Sequence, residues 1–397
     1  VSNPEESETT VVLRNGELVL PDRIVHGDLL LEGAVIRKLA PAGTATGDEI
    51  WDLGGRKVTP GWVDPHIHGF GGVDFNAADP ETLADSVEKL AALGVTTVYP
   101  TIVPGPEEEM KEILSTVARA AELSPSILGI HLEGPFLSPG RRGALPESGV
   151  LEWDDELMNR LLEAAGGRLR LMTFAPERVP LSSLKKFSMV GIKGSIGHTC
   201  ASAAETTAAI DAGARRCTHL CNAMPPLHHR DPGPVGAILL DDRVRCEVIL
   251  DGHHLSDDLV RLALKMKGPN GLIAVSDAMP LAGMGVSSGV FCGQEVCSDG
   301  ERATLSDGTL AGSVTLLPEA LSRTAQALGW DQVSLQNMGS LNAAEDLGLP
   351  RRGSLRSDYR ADLVIHGESG IEAVMRGGLS VEDAEGPRLP ATIEQVR

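Results

Sequence analysis

Several short clusters in this chain hold side chains able to bind a cation or move protons. Asp64-Pro65-His66-Ile67-His68-Gly69 puts two imidazoles at i and i+2. On an extended strand such residues point to one side, so His66 and His68 can reach one ion. Alone the pair is a weak signal, because surface or core histidines produce the same spacing. In His131-Leu132-Glu133-Gly134-Pro135-Phe136 a carboxylate follows an apolar run, a costly position unless it is paired or metal-bound. Glu133 is therefore a candidate ligand, able to bridge two cations through its two oxygens. His131 shares its strand face and reads equally as a supporting group or as a hydrogen-bonded core histidine. Gly197-His198-Thr199, Thr218-His219-Leu220-Cys221-Asn222-Ala223-Met224, Asp251-Gly252-His253-His254 and Ser276-Asp277-Ala278 each add an imidazole or a carboxylate. Together these groups suit hydrolysis assisted by a divalent ion.

Each cluster sits at or just beyond the end of an apolar run. Buried strands are expected at 58–63, 96–101, 127–132, 168–173, 189–195, 215–219, 245–250 and 272–276. Helices are expected between several of them. Residues 80–93 show Pro80 at the first position after Asp79, an apolar face of Leu83, Val87, Leu90 and Ala91, and Gly94 as a stop. Ser202 and Glu205 form a capping box, and Ser256 and Gly268 bound another helix. Eight such β/α units over roughly 300 residues predict a (β/α)₈ TIM-like barrel, with a doubly wound open sheet as the competing arrangement. The chemistry favours the barrel. His, Glu or Asp stands at the C-terminal end of strands one, three, five, six, seven and eight, and only a closed barrel brings six strand ends to one mouth.

Short strands also occupy both ends of the chain, at 11–13, 17–20, 28–31 and 34–39, and at 361–366 and 372–376. Neither end has the apolar surface to stand alone. The expected organisation is a small β-sandwich domain assembled from 1–57 and 355–397, around a barrel spanning 58–354.

The 397 residues carry 55 acidic and 35 basic side chains, a net charge of −20. A protein that tracks nucleic-acid phosphates usually shows the opposite sign, so no nucleic-acid partner is expected. No apolar stretch reaches the roughly 18 residues of a membrane span. The acidic start, Val1 to Glu6, has no apolar core of the kind that directs export. Six cysteines without a CxxC pair are expected to be reduced thiols, which points to the cytoplasm.

These motifs resemble those of the N-acetylglucosamine-6-phosphate deacetylases of the amidohydrolase superfamily. The resemblance runs in order through the strand-one His-x-His segment, HLEGPF, Gly197-His198-Thr199, THLxNAM, Asp251-Gly252-x-His254, Ser276-Asp277-Ala278 and Asp307-Gly308-Thr309-Leu310-Ala311-Gly312-Ser313. It covers roughly residues 10–380; HLEGPF with THLxNAM is specific to these deacetylases, whereas His-x-His marks only the wider superfamily. The resemblance implies a metal site at Glu133, His198 and His219, and Asp277 as general acid/base. It implies a second ion on His66, His68, Glu133 and Asp277, since some relatives lack the His-x-His pair and use one metal. The metal is expected to be Zn²⁺, with Fe²⁺ or another divalent ion also suiting these ligands, one or two per subunit. His254 is expected to help Asp277 in catalysis. Asn222, Ala223, Arg230 and His254 match sugar-phosphate contacts, as do Ala144 and the Leu310, Ala311 and Gly312 region. A homodimer is implied as well, with the His228–Arg230 loop reaching the partner's phosphate site.

The chain departs from the family at Gly143-Ala144-Leu145, where Gly-Ala-His is frequent, and at Cys221, where tyrosine is frequent. The first departure bears on substrate identity. Three other readings stand beside the main one: a deacetylase for a different N-acetylhexosamine, phosphorylated or free; a cyclic-amide hydrolase; and a non-catalytic sugar-phosphate binder. The second usually needs a lysine on strand four, and 168–173 has none. The third is expected to have lost ligands or the acid/base, and this chain keeps them.

Overall fold

The structure, a computed structural model, describes residues 9–381, 389–390 and 392–396. The acidic start, Val1 to Glu6, lies outside them. The described residues form two compact units. Residues up to Val63, with Leu90–Thr96 and those from Asp331 onward, make one; Asp64–Lys89 and Thr97–Trp330 make the other. The first unit thus also takes in residues 58–63, 90–96 and 331–354, which the sequence pattern groups with the barrel.

The unit built from both ends holds a nine-stranded sheet. Thr10–Val19 is its hub, pairing with Ile24–Glu32, Glu49–Asp52 and Lys57–Pro60. The C-terminal part joins through Leu363–Gly367, which lies antiparallel to Lys57–Pro60. Leu13, Leu18, Leu29, Leu31, Val58, Leu363, Ile365 and Met375 pool their side chains in one core. Neither end supplies that core alone, which is why the two must fold together.

The other unit carries an eight-stranded sheet whose strands follow chain order: Val63–Ile67, Thr97–Ile102, Ile130–Glu133, Leu169–Phe174, Lys193–Ile196, Arg216–Cys217, Arg245–Ile249 and Leu272–Val275. The Asp277 N–H donates to His66 O at 2.9 Å and the His68 N–H to Ala278 O at 2.7 Å. These bonds join the last strand to the first, so the sheet closes as a (β/α)₈ barrel. The expected helices form. Pro80–Ala92 is capped by Asp79, whose Oδ1 accepts the Thr82 N–H at 2.8 Å. Ala203–Ala212 begins with the Ser202/Glu205 capping box, and Asp257–Lys267 begins at Ser256 and ends at Gly268. Among the described residues no helix is long and apolar enough to cross a membrane.

Three expected strands need correction. The run 58–63 is not one barrel strand. Pro60-Gly61 divides it, giving Lys57–Pro60 to the terminal sheet, and the first barrel strand is Val63–Ile67. His66 therefore lies within a strand rather than after it. The run 189–195 begins with the last residue of the helix Leu181–Met189, and the strand is Lys193–Ile196. The run 215–219 shortens to Arg216–Cys217, because His219, Cys221 and Ala223 all take positive φ (27°, 73° and 51°) and turn the chain. A three-stranded sheet, Val286–Phe291, Gln294–Asp299 and Ala303–Thr304, was not expected. It packs Phe291, Val296 and Ala303 against Leu137, Leu145, Met279, Leu281 and Ala311.

Candidate active site

The barrel's C-terminal mouth gathers six side chains into two buried groups that share Glu133. In the first, His198 Nε2 and His219 Nε2 lie 2.9 Å apart, each 3.1 Å from Glu133 Oε1. In the second, His66 Nε2, His68 Nε2 and Asp277 Oδ1 stand 3.3 Å from one another. Glu133 turns its other oxygen to this group, with Oε2 3.3 Å from His68 Nε2. None of the six residues is more than 7% exposed. His198, His219 and Asp277 all hold positive φ (47°, 27° and 49°), a conformation that non-glycine residues keep only when the surroundings impose it.

The electrostatics fit a cation. Burial alone would discharge His66 and His68, but the carboxylates of Asp277 and Glu133 outweigh it. They push His66 well above its ordinary range and His68 up to about 9. Burial would likewise raise Glu133, yet the His66 charge and the hydrogen bonds from His198, His219 and His66 hold it well below the usual carboxylate range. In the chain alone, protons on the rings balance the carboxylates; a bound cation would take over that role and release them. The ring nitrogens fit as well. His198 Nδ1 lies 2.8 Å from Arg141 O and His66 Nδ1 2.9 Å from Glu247 Oε2, which leaves both Nε2 lone pairs for the interior. His68 Nδ1 and His219 Nδ1 are buried without a hydrogen-bond partner. Both sets of three offer imidazole and carboxylate donors within one ion's reach.

A cavity of about 240 Å³ opens on the two groups. Of the expected residues, His68, Glu133, His198, His219, Asp277, His254, Ala144, Asn222, Ala223, Leu310, Ala311 and Gly312 line it. His66 lies just beneath. Arg230 is not brought there: it stands exposed on its loop, its guanidinium 2.8 Å from His229 Nε2. His254 is held by Asp251, whose Oδ2 is 2.7 Å from His254 Nδ1 and accepts Ser313 Oγ at 3.0 Å. Burial opposes its charge, but the Asp251 hydrogen bond and charge prevail and the His254 pKa is raised. His131 does not join either group. Its Nδ1 is 3.2 Å from Thr101 Oγ1 and its Nε2 2.8 Å from Thr173 Oγ1, with its ring centre 4.7 Å from that of His66. Burial and the His66 charge hold it neutral.

Three residues escape the sequence reading. Phe291 lines the cavity from the unexpected small sheet, its ring centre 5.5 Å from that of His68. Glu247 and Arg216 form a wholly buried ion pair, Nε to Oε1 2.8 Å, with the other Glu247 oxygen against His66 Nδ1. Burial alone would raise the Glu247 carboxyl, but the Arg216 and His66 charges hold it well below its ordinary value. A signal did exist: both are charges placed inside short barrel strands.

The chain is similar to known proteins over most of its length. The amidohydrolase family matches the chain over residues 57–381. The N-acetylglucosamine-6-phosphate deacetylase of Bacillus subtilis is 37% identical over 316 residues, covering 78% of this chain and 80% of that protein. Its counterpart from Homo sapiens is 34% identical over 394 residues, covering 95% of each. A solved structure of a mutant N-acetyl-D-glucosamine-6-phosphate deacetylase from Mycobacterium smegmatis, in complex with N-acetyl-D-glucosamine-6-phosphate, has a TM-score of 0.87 at 31% identity. It covers 94% of this chain and 99% of that one.

Proposed function

Since the chain belongs to the amidohydrolase family, we propose that it hydrolyses N-acetyl-D-glucosamine 6-phosphate to D-glucosamine 6-phosphate and acetate, with the help of a divalent metal. The observation that carries this reading is the meeting of Glu133, His198, His219, His68 and Asp277 in the lining of one cavity, with His66 Nε2 3.3 Å from His68 and Asp277. Glu133, His198 and His219 would hold one ion, and His66, His68, Glu133 and Asp277 would hold a second. Imidazole and carboxylate donors suit Zn²⁺ first and Fe²⁺ next. A bound divalent ion supplies Lewis acidity, which polarises a carbonyl and lets water ionise near neutral pH.

The protein's own groups do the rest. Asp277 takes a proton from the attacking water and returns it to the departing nitrogen, because an amine leaves readily only when protonated. His254 keeps Nδ1 on Asp251 and offers Nε2 to the acetyl oxygen as negative charge grows there. Asn222, Ala223 and the Ala144 and Leu310–Gly312 segments orient the sugar. Arg230, exposed in its own subunit, serves the phosphate of a neighbouring subunit in a homodimer, where its planar fork suits a phosphate. The six cysteines are all unpaired, which fits a cytoplasmic enzyme.

The test is acetate release by Zn²⁺-reconstituted protein across N-acetylglucosamine, N-acetylgalactosamine and the 6-phosphate of each. Turnover should be highest on N-acetylglucosamine 6-phosphate and should stop on chelation. No turnover on any of the four by protein that holds its metal would end this reading, and preference for a free sugar would remove the phosphate from it.

A further inference from the structure

We infer that Glu247, held in place by Arg216, is the positioning residue that makes His66 a metal ligand, so that occupancy of the His66/His68/Asp277 site depends on it. The inference rests on the reading that both groups at the mouth hold ions.

Both side chains are fully buried. Arg216 lies on the strand Arg216–Cys217 and Glu247 on its neighbour Arg245–Ile249. Burying an ion pair in a barrel interior costs more desolvation than its attraction usually returns, so a packed apolar pair would serve the fold as well or better. Something other than stability must account for the charge. The contacts of the carboxylate say what. Oε1 accepts the Arg216 Nε–H at 2.8 Å. Oε2 lies 2.9 Å from His66 Nδ1 and accepts the His219 main-chain N–H at 3.1 Å.

An ionised carboxylate on Nδ1 fixes the proton there. The lone pair of Nε2 is then left for the interior, where His68 Nε2 and Asp277 Oδ1 lie 3.3 Å away. The two groups do not depend on Glu247 equally. His66 relies on it for tautomer and ring orientation. His219 meets it only through the main chain, and His198 is oriented independently by Arg141 O. The Glu133/His198/His219 site therefore survives the loss of Glu247, and the other site does not.

Arg216 makes the identity of the residue strict. In Glu247→Gln the charged guanidinium keeps the amide oxygen, so the NH₂ turns toward His66 and toward the His219 main-chain N–H, which loses its acceptor. The ring must then accept at Nδ1 and carry its proton on Nε2, which leaves no lone pair for a metal. Removing Arg216 as well frees the amide to turn its oxygen to His66 and the His219 main-chain N–H.

The experiment is equilibrium dialysis of the full chain against Zn²⁺, counting ions per subunit, with thermal melting of the metal-free proteins beside it. Wild type should hold two ions. Glu247→Gln should hold one, its second site weakened by about 10–100-fold, the usual loss when such a supporting group is removed. Arg216→Met with Glu247→Leu keeps the interior packed without charge and gives His66 no acceptor. It should fold and hold one ion, and it answers the question if Glu247→Gln does not fold. Arg216→Met with Glu247→Gln should regain the second ion, a rescue that a purely structural role would not give. Two ions in the apolar double variant, or the loss of both, overturns the inference. A wild type that holds a single ion overturns the two-ion reading first, and the inference with it.

Discussion

Buried carboxylates occur in both units of this protein, with opposite surroundings. In the unit built from the chain ends, Asp28 Oδ1 accepts the main-chain N–H groups of Asn15 and Gly43 at 2.9 and 3.0 Å. Its Oδ2 accepts those of Thr44 and Ala45, both at 2.9 Å. Asp362 is met by Arg352 at 2.6 Å, Arg360 at 3.0 Å and the Gly377 N–H at 2.8 Å. Every partner there is an obligate donor, and the charge is answered within the chain. At the barrel mouth, Glu133 and Asp277 face imidazole nitrogens instead. His66 Nε2 alone lies within 3.4 Å of Glu133, Asp277 and His68. One N–H cannot serve all three, and a ring nitrogen can equally present a lone pair. The contrast separates a carboxylate answered by fixed donors from one faced by rings that can give up their protons to a cation.

The largest expected effect lies at the mouth. Asp277→Asn should lower kcat for acetate release by about 10²–10⁴-fold, the usual contribution of a positioned proton-transfer group. The melting temperature of the metal-free protein should change little, because the rings that balance Asp277 can release their protons when its charge is removed. Near-wild-type turnover in the variant would take the proton-transfer role from Asp277. A large loss of metal-free stability would move it into the structural class with Asp28.

Asp28→Ala should do the reverse. It strips the partner from four main-chain N–H groups, at a cost of about 1–3 kcal/mol for a buried donor left unsatisfied. Turns at Asn15 and Gly43–Ala45 relax only in part, so urea denaturation should show a loss of about 3 kcal/mol with kcat unchanged. The acid limb of stability should change as well. Although burial raises the Asp28 carboxyl, the four N–H bonds together lower it below its ordinary 3.8. Its contribution is therefore full above that ordinary value and is lost as pH falls below it toward the depressed folded value. Asp28→Ala should flatten the decline of stability in that acid range; an unchanged acid limb would show that the four bonds do not favour the charged form.

The same contrast explains what the sequence discloses. Glu133, His198, His219, Asp277 and the His66/His68 pair are legible as candidate ligands because a cation calls for particular residue types, and a closed barrel brings its strand ends and the residues beside them together whatever the chain distance. Asp28 is not legible as a buried anchor: its partners are main-chain N–H groups, which every residue but proline carries. Arg216 and Glu247 are hidden differently. Each is a lone charge in a short strand, and only the neighbouring of those strands shows that the two meet. The first barrel strand is misplaced because Val58-Thr59-Pro60-Gly61-Trp62-Val63 is one apolar run by composition, while Pro60-Gly61 divides it by geometry. The sheet over 286–304 hides its period under serine, glycine and cysteine. Arg230 is flagged by chemistry alone, which says what a guanidinium can bind and not where its loop will stand.

Asp251 tests the boundary between the two classes and carries the smallest effect. Like Asp28 it is answered by donors: Oδ1 accepts the N–H groups of His253 and His254 at 2.9 and 3.0 Å, and Oδ2 accepts Ser313 Oγ. Like Glu133 it also faces an imidazole at the cavity, His254 Nδ1 at 2.7 Å. In Asp251→Asn the remaining oxygen stays with the two main-chain donors, and the NH₂ faces His254 Nδ1. The ring then accepts at Nδ1 and keeps a proton on Nε2, so it still donates to the cavity but without charge. Removing a supporting group of this kind costs about 10–100-fold in activity. The pH profile identifies the cause. Asp251 raises the His254 pKa, so in wild type the charged ring persists as pH rises and is lost only above that raised value. In Asp251→Asn the alkaline decline of kcat/KM should move to lower pH. A 10–100-fold loss with the alkaline limb unmoved would mean that Asp251 orients His254 without charging it, and would place Asp251 with the structural carboxylates.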